Sequence, residues 1–192
     1  MSMKTIALSA AVAAGLLASQ GGAFAQNQLT RNQIVNSLYE TEGTVARLDP
    51  IALEAAAQRA AASGGDNAPG PLSDKLAGLP QISVEINFDR GSARIRPESY
   101  YSVGLIADAL HTPYLMGQKF VVIGHTDATG GRELNFKLSQ QRAIAVMKAL
   151  VTTFSVPTEQ LVAIGLGEEQ LQNPSDPYGA ENRRVQLINI GQ

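Results

Sequence analysis

At 192 residues and a formal charge of −2, the chain has room for one domain plus accessory segments, and no broad basic surface for nucleic acid or anionic lipid. It contains no cysteine, which excludes disulfides, thiolate metal sites, a cysteine nucleophile and lipid attachment through an N-terminal cysteine.

Lys4 is the only charge among the first 25 residues, and residues 6–17 form an alanine-rich apolar run. That run is shorter than the ~20 residues needed to cross a bilayer. Ala23-Phe24-Ala25 fits the small-x-small pattern of a signal-peptidase site. The expectation is a cleaved signal peptide over residues 1–25, with Met1 or Met3 as start and a mature chain beginning at Gln26. An N-terminal helical segment is expected over 26–62. Thr30 and Gln33 have capping-box spacing, which predicts a short helix as far as Leu38 or Tyr39. Asp49-Pro50 predicts a second start, with Asp as N-cap and Pro at the first helical position. The alanine-rich stretch after it, 51–62, carries only Ile51 and Leu53 as long apolar side chains, so it reads as a spacer helix. Residues 63–80, rich in Gly, Pro, Ala, Asp and Ser, read as a flexible linker.

A folded domain is expected over 81–192. Ile82, Val84, Ile86 and Phe88 alternate with polar residues, the period of a half-buried strand. Pro97 opens a helix on which Tyr100, Val103, Ala107 and Leu110 form one face, and Thr112-Pro113 ends it. Residues 120–123 make an apolar strand, left by the loop Gly124-His125-Thr126-Asp127 and a glycine-containing turn. A long helix follows from about 133 to 153, then a strand at 161–164, a Gly/Pro loop over 165–181, and a last strand over 184–190. Strands alternating with helices predict an α/β fold with helices layered on one mixed sheet.

Two segments carry chemistry: Gly124-His125-Thr126-Asp127 with Leu134-Asn135-Phe136-Lys137-Leu138-Ser139-Gln140-Gln141-Arg142-Ala143, and Asn182-Arg183-Arg184-Val185 at the last strand. They resemble the G-H-T-D, N-x-x-L-S-x-x-R-A and N-R-R-V signatures of the OmpA-like domain family. Phe88-Asp89-Arg90-Gly91-Ser92-Ala93 is similar to the family's F-D-x-x-S-A strand end, and Gly165-Leu166-Gly167-Glu168 to its G-x-G-E turn. The motifs lie in the family's order across residues 82–190. The resemblance implies a two-layer sandwich of βαβαββ order with helices on one face, preceded here by the short N-terminal helices. It also implies a periplasmic domain that grips the peptide stem of peptidoglycan at meso-diaminopimelate without a cofactor. Asp127 would receive the ligand's ammonium and Arg142 its carboxylate. Asp89, Thr126, Asn135, Leu138 and Arg183 match positions that line or support the pocket.

Residue chemistry points the same way. The D-centre of diaminopimelate bears one ammonium and one carboxylate, so a receptor needs one anion and one cation held a few ångströms apart. Arginine suits the second task because its planar fork bonds a carboxylate through two parallel donors. Asn135, Leu138 and Arg142 recur at i, i+3 and i+7, a polar–apolar–charged stripe that is odd for a core and sensible for a pocket rim. The sequence departs from the family at Arg90-Gly91, where many members carry Phe-Asp; this adds a cation near the pocket mouth. It departs again at Arg96, where a Ser or Thr N-cap is usual.

The rival readings are weaker. Asp127 and Arg142 as a mere surface ion pair would be common and nearly worthless energetically. His125-x-Asp127 supplies too few ligands for a metal, and His111 lies elsewhere. Ser139 sits inside a helix without a G-x-S-x-G elbow, and Asp89 with Asp127 has no evident sugar cleft for a glycosidase pair. Arg183 and Arg184 should alternate in direction along a strand, so only Arg183 is expected at the site; Asn182 is expected to bond backbone. The function expected is therefore an envelope anchor or tether rather than an enzyme. It would reside in the periplasm in association with the outer membrane or wall, with the N-terminal helices available to hold another envelope protein. The alternative is the wall-anchoring subunit of a larger secretion or stator-like complex.

Overall fold

The computed structural model of the chain describes residues 29–39, 49–63, 76 and 78–191; the expected signal peptide lies outside them. Thr30 caps α1 (Arg31–Leu38) as its spacing predicts. Its Oγ1 accepts from Gln33 N at 3.3 Å, and Gln33 Oε1 accepts in return from Thr30 N at 2.8 Å. Asp49 Oδ1 accepts from Ile51 N at 2.9 Å and so caps α2 (Pro50–Ser63).

The remaining elements follow in the predicted order: β1 (Gln81–Val84), a 3-10 turn (Pro97–Ser99) leading into α3 (Tyr100–Leu110), β2 (Lys119–His125), α4 (Arg132–Thr152), β3 (Leu161–Gly167) and β4 (Val185–Gly191). The strands form one mixed sheet in the order β1-β4-β2-β3. β4 is antiparallel to both of its neighbours, and β2 and β3 are parallel. This is the expected α/β fold. Strand alternation divides two apolar layers. Phe120, Val122, Leu161, Val185 and Leu187 face α1, α3 and the C-terminal half of α4. Val121, Ile123, Ile164, Leu166, Ile188 and Ile190 point to the other face. On α3 the buried face is Val103, Ile106, Ala107, Ala109 and Leu110; Tyr100 is exposed, one turn too early to reach the sheet.

Two expectations are corrected. Gly124, His125 and residues 165–167 are strand rather than loop, because Gly124 pairs with both Gly165 and Val185 and the ladder continues to Gly167. Glycine belongs there because α4 lies directly on these strands. A Cβ at Gly124 would collide with the Ser139 carbonyl, and one at Gly165 with the Gln140 backbone. Ser139 Oγ then bridges helix to strand, donating to Phe136 O and accepting from Gly167 N, both at 2.8 Å.

The spacer reading of the N-terminal segment also fails on the described residues. Ile34 and Leu38 of α1 are fully buried under α3 and the sheet, and Asn189 Nδ2 donates to Leu38 O at 2.9 Å. Leu53 and Ala57 of α2 join Leu76 and Leu79, from the end of the expected linker, to cover the opposite face of the sheet. Alanine next to a well-placed leucine lets α2 approach β3 closely enough to dock, so a low content of long apolar side chains is no bar to packing. The packed unit thus begins before Gln81, and helices cover both sheet faces. Among the described residues no helix is long and apolar enough to cross a membrane.

Candidate functional site

A cavity of about 580 Å³ opens where β2 ends, between the turn after β1, the start of α4 and the residues just before β4. Six of the seven residues singled out from sequence line it: Thr126, Asp127, Asn135, Leu138, Arg142 and Arg183. The seventh, Asp89, does not. It heads the tight turn that follows Phe88, where Ser92 N donates to its carbonyl at 3.0 Å, and its carboxylate lies 3.6 Å from Arg94 and 4.0 Å from Arg96. Asp89 therefore shapes the rim without facing the cavity.

Asp127 is held from both sides. Its Oδ1 accepts from Thr129 N at 3.0 Å, an Asx turn that follows from an aspartate just past a strand end, and its Oδ2 accepts from Arg183 Nη1 at 2.6 Å. Burial raises the Asp127 pKa, but the Arg183 and Thr129 hydrogen bonds outweigh it, so the carboxyl ionises below its usual range. Asp127 is an anion at neutral pH, held by Arg183 and by both the backbone and the side chain of Thr129.

Arg142 comes from the third turn of α4, whose buried face is polar (Asn135, Ser139, Arg142) over its first three turns before it becomes apolar. It is 9% exposed, donates Nε to Ser92 O at 3.1 Å and stacks over the Phe88 ring at 4.9 Å. Burial lowers its pKa and Asp127 partly offsets this; an arginine remains charged regardless. It forms no carboxylate hydrogen bond. Asn135 ties the floor together, donating to Asp127 O at 3.3 Å and to Glu168 Oε2 at 2.5 Å. Thr126 Oγ1 is buried without a partner.

The arginine pair departs from expectation. Both Arg183 and Arg184 line the cavity. They precede β4, and Arg183 ends a 3-10 turn with φ −83° and ψ 82°, so strand alternation does not yet apply. Arg184 is buried, donates Nη2 to Gln170 O at 3.2 Å and leaves Nε and Nη1 without partners; burial lowers its pKa to about 10. Asn182 bonds backbone as expected, donating to Asp176 O at 2.8 Å and accepting from Asn173 N at 2.9 Å.

Sequence reasoning set His125 aside as a metal ligand, and among the described residues no cluster suits a metal ion. It missed what His125 does. Its Nε2 lies 2.9 Å from Gln186 Oε1, Gln186 bonds Gln81 Oε1, and Gln81 Nε2 donates to Leu76 O at 2.9 Å. This buried polar chain runs from the cavity wall to the segment before β1. Burial, reinforced by the Arg184 charge, drives the His125 pKa well below its ordinary 6.5, so the folded protein keeps a neutral ring. The unfolded chain takes up a proton below pH 6.5 that the native state refuses. Stability present above that pH is therefore lost as pH falls. Wild type is expected to lose about 1 kcal/mol between pH 7.0 and 5.5, and His125→Gln to lose far less, as read by urea unfolding at the two pH values.

The fold thus brings one anion, Asp127, and one buried cation, Arg142, from different elements to the same cavity in a small α/β domain. The chain belongs to the OmpA family, whose sequence pattern matches residues 87–184. It is 36% identical over 104 residues to the probable lipoprotein YiaD of Escherichia coli, a match covering 53% of this chain and 46% of that protein. It is 34% identical over 119 residues to the peptidoglycan-associated lipoprotein of Pseudomonas aeruginosa, covering 62% of this chain and 68% of the relative. A solved structure of the peptidoglycan-associated lipoprotein from Burkholderia pseudomallei is 28% identical, covering 65% of this chain and 99% of that one with a TM-score of 0.45. The chain thus spans less than half the length of the first of these relatives.

Proposed function

We propose that this domain binds peptidoglycan non-covalently through the meso-diaminopimelate of its stem peptide and serves as an anchor in the cell envelope. The observation that carries the reading is the pair Asp127 and Arg142. Both are buried, they face one cavity from different elements, and the guanidinium is oriented by Ser92 O and Phe88 yet lacks a carboxylate. The ligand's ammonium pairs with the Asp127 carboxylate, and its carboxylate takes the fork of Arg142. Asn135, through its bond to Asp127 O, and Thr126, whose backbone N–H donates to Gly167 O, hold the loop that presents Asp127, and Leu138 covers the ligand's methylene chain. Two relatives named for association with or binding to peptidoglycan support the assignment: the Pseudomonas aeruginosa lipoprotein above and the protein ArfA of Mycobacterium tuberculosis, 30% identical over 127 residues.

Export accompanies this reading: Lys4, the apolar run and Ala23-x-Ala25 direct the chain to the periplasm, where its mass should correspond to a start at Gln26. α1 buries Ile34 and Leu38 and α2 buries Leu53 and Ala57 against the domain itself, which favours a direct wall anchor over helices held ready for a partner. Co-sedimentation with purified sacculi tests the function. Lysine-type walls lack the side-chain carboxylate and leave Arg142 facing no partner. Binding is expected to diaminopimelate-type sacculi and to be at least about tenfold weaker to lysine-type ones. Equal binding to both would overturn the assignment of the ligand.

A further inference from the structure

The cavity has a charge imbalance that one zwitterion does not remove. Five arginines line it (Arg90, Arg96, Arg142, Arg183 and Arg184) against two carboxylates, Glu85 and Asp127, in a chain whose overall charge is −2. Asp127 is engaged by Arg183 at 2.6 Å, and Arg96 is held by Glu98 at 3.2 Å outside the lining. Arg90, Arg142 and Arg184 form no ion pair with a carboxylate among the described residues. A clamped amino acid satisfies Asp127 and Arg142, and it leaves Arg90 at the mouth and Arg184 in the wall uncompensated.

Arg90 is placed for a second anion. It occupies the second position of the turn Asp89–Ser92, closed by the 3.0 Å bond from Ser92 N to Asp89 O, with Gly91 at φ +63° supplying the left-handed residue after it. The carbonyl of Ser92 in this same turn accepts from Arg142 Nε. The turn that carries Arg90 is thereby pinned to the arginine of the clamp, and two guanidinium groups are brought to one opening. Arg90 is exposed and makes no hydrogen bond or ion pair with any described residue. Like charges gathered without a counter-ion oppose folding, and an anion arriving between them relieves that repulsion.

We propose that the site selects a stem peptide carrying a free carboxylate beyond the one on the clamped D-centre, and that Arg90 reads this second carboxylate at the mouth. The inference rests on the diaminopimelate reading above and adds a selectivity to it. In the stem, two other carboxylates sit near the clamped centre: the α-carboxylate of the γ-linked D-glutamate and the L-centre carboxylate of diaminopimelate in a tripeptide. Amidating both removes the second anion and leaves the clamped group unchanged.

The experiment is calorimetric titration of the full chain with the tripeptide L-alanyl-γ-D-glutamyl-meso-diaminopimelate and with the same peptide bearing those two carboxylates as amides. Wild type is expected to bind the free acid about fivefold more tightly, a modest ratio because Arg90 is solvated, and the ratio should shrink as salt is raised. In Arg90→Gln the ratio should fall below about twofold. Equal affinity of wild type for both peptides, or an unchanged ratio in Arg90→Gln, would overturn the selectivity while leaving the clamp standing. Binding of neither peptide would overturn the clamp, and the selectivity with it.

Discussion

Asp127→Asn and Arg142→Ala are each expected to abolish sacculus binding, at a loss of ~2–5 kcal/mol or at least about thirtyfold in affinity. Each charge of the ligand would meet one protein charge in a partly desolvated cavity, and removing either protein charge strands its partner there. Asp127→Asn is the sharper of the two. The amide keeps the shape of the side chain and can still accept from Thr129 N, but it no longer attracts an ammonium. It also frees Arg183, which adds a repulsive cation at the place where the ammonium should sit. Arg142→Lys keeps the charge and loses both the fork and the stacking on Phe88, so it too should bind weakly. Asp127→Asn should not unfold the protein, because Arg183 is half exposed and its bond to Asp127 is worth ~1 kcal/mol or less to stability. Co-sedimentation, with a thermal melt as the control for folding, makes the measurement. Full binding by Asp127→Asn would show that the clamp lies elsewhere.

The second large effect concerns folding. A fragment beginning at Gln81 would look like the whole domain on the family motifs, yet it is expected to be unfolded or partly molten. Deleting the residues before it removes Ile34, Leu38, Leu53, Leu76 and Leu79, all buried. Each large aliphatic side chain contributes ~2 kcal/mol on burial, so the loss is on the order of 10 kcal/mol, comparable with the whole stability of a typical domain. The apolar face made by Val121, Ile123, Ile164 and Ile188 would also open to water. Circular dichroism and urea unfolding of the fragment against the mature chain give the comparison. A fragment as stable as the mature chain would mean that α1 and α2 pack without contributing.

Much of this was legible along the chain because it depends on local rules. The Thr30 and Asp49 caps follow from side chains that reach only two or three residues. The start of β1 at Ile82 and Val84 and most of the face of α3 follow from periodicity, although the ladder stops at Val84 and Phe88 keeps only an isolated bridge to Ile95, and the ordered motifs around Asp127 and Arg142 point to residues that converge on one cavity. Where local rules failed, distance in sequence was the reason. Gly124, Gly165 and Gly167 read as loop glycines because a glycine's local preference is for turns; only the approach of the α4 backbone, at Ser139, Gln140 and Phe136 respectively, explains them as strand. Arg184 was set apart from Arg183 by an alternation that starts a residue later, at Val185. His125 took its meaning from Gln186 and Gln81, which sequence places far away. The sequence by itself determined the element order, the family and the charges of the site. Tertiary structure alone decided that Asp127 is already bonded to Arg183, that Asp89 sits beside Arg94 and Arg96 at the rim, and that α1 and α2 belong to the core. Burial and pairing are properties of surfaces that meet only after the chain has folded, and no pattern within one segment encodes the surface it will meet.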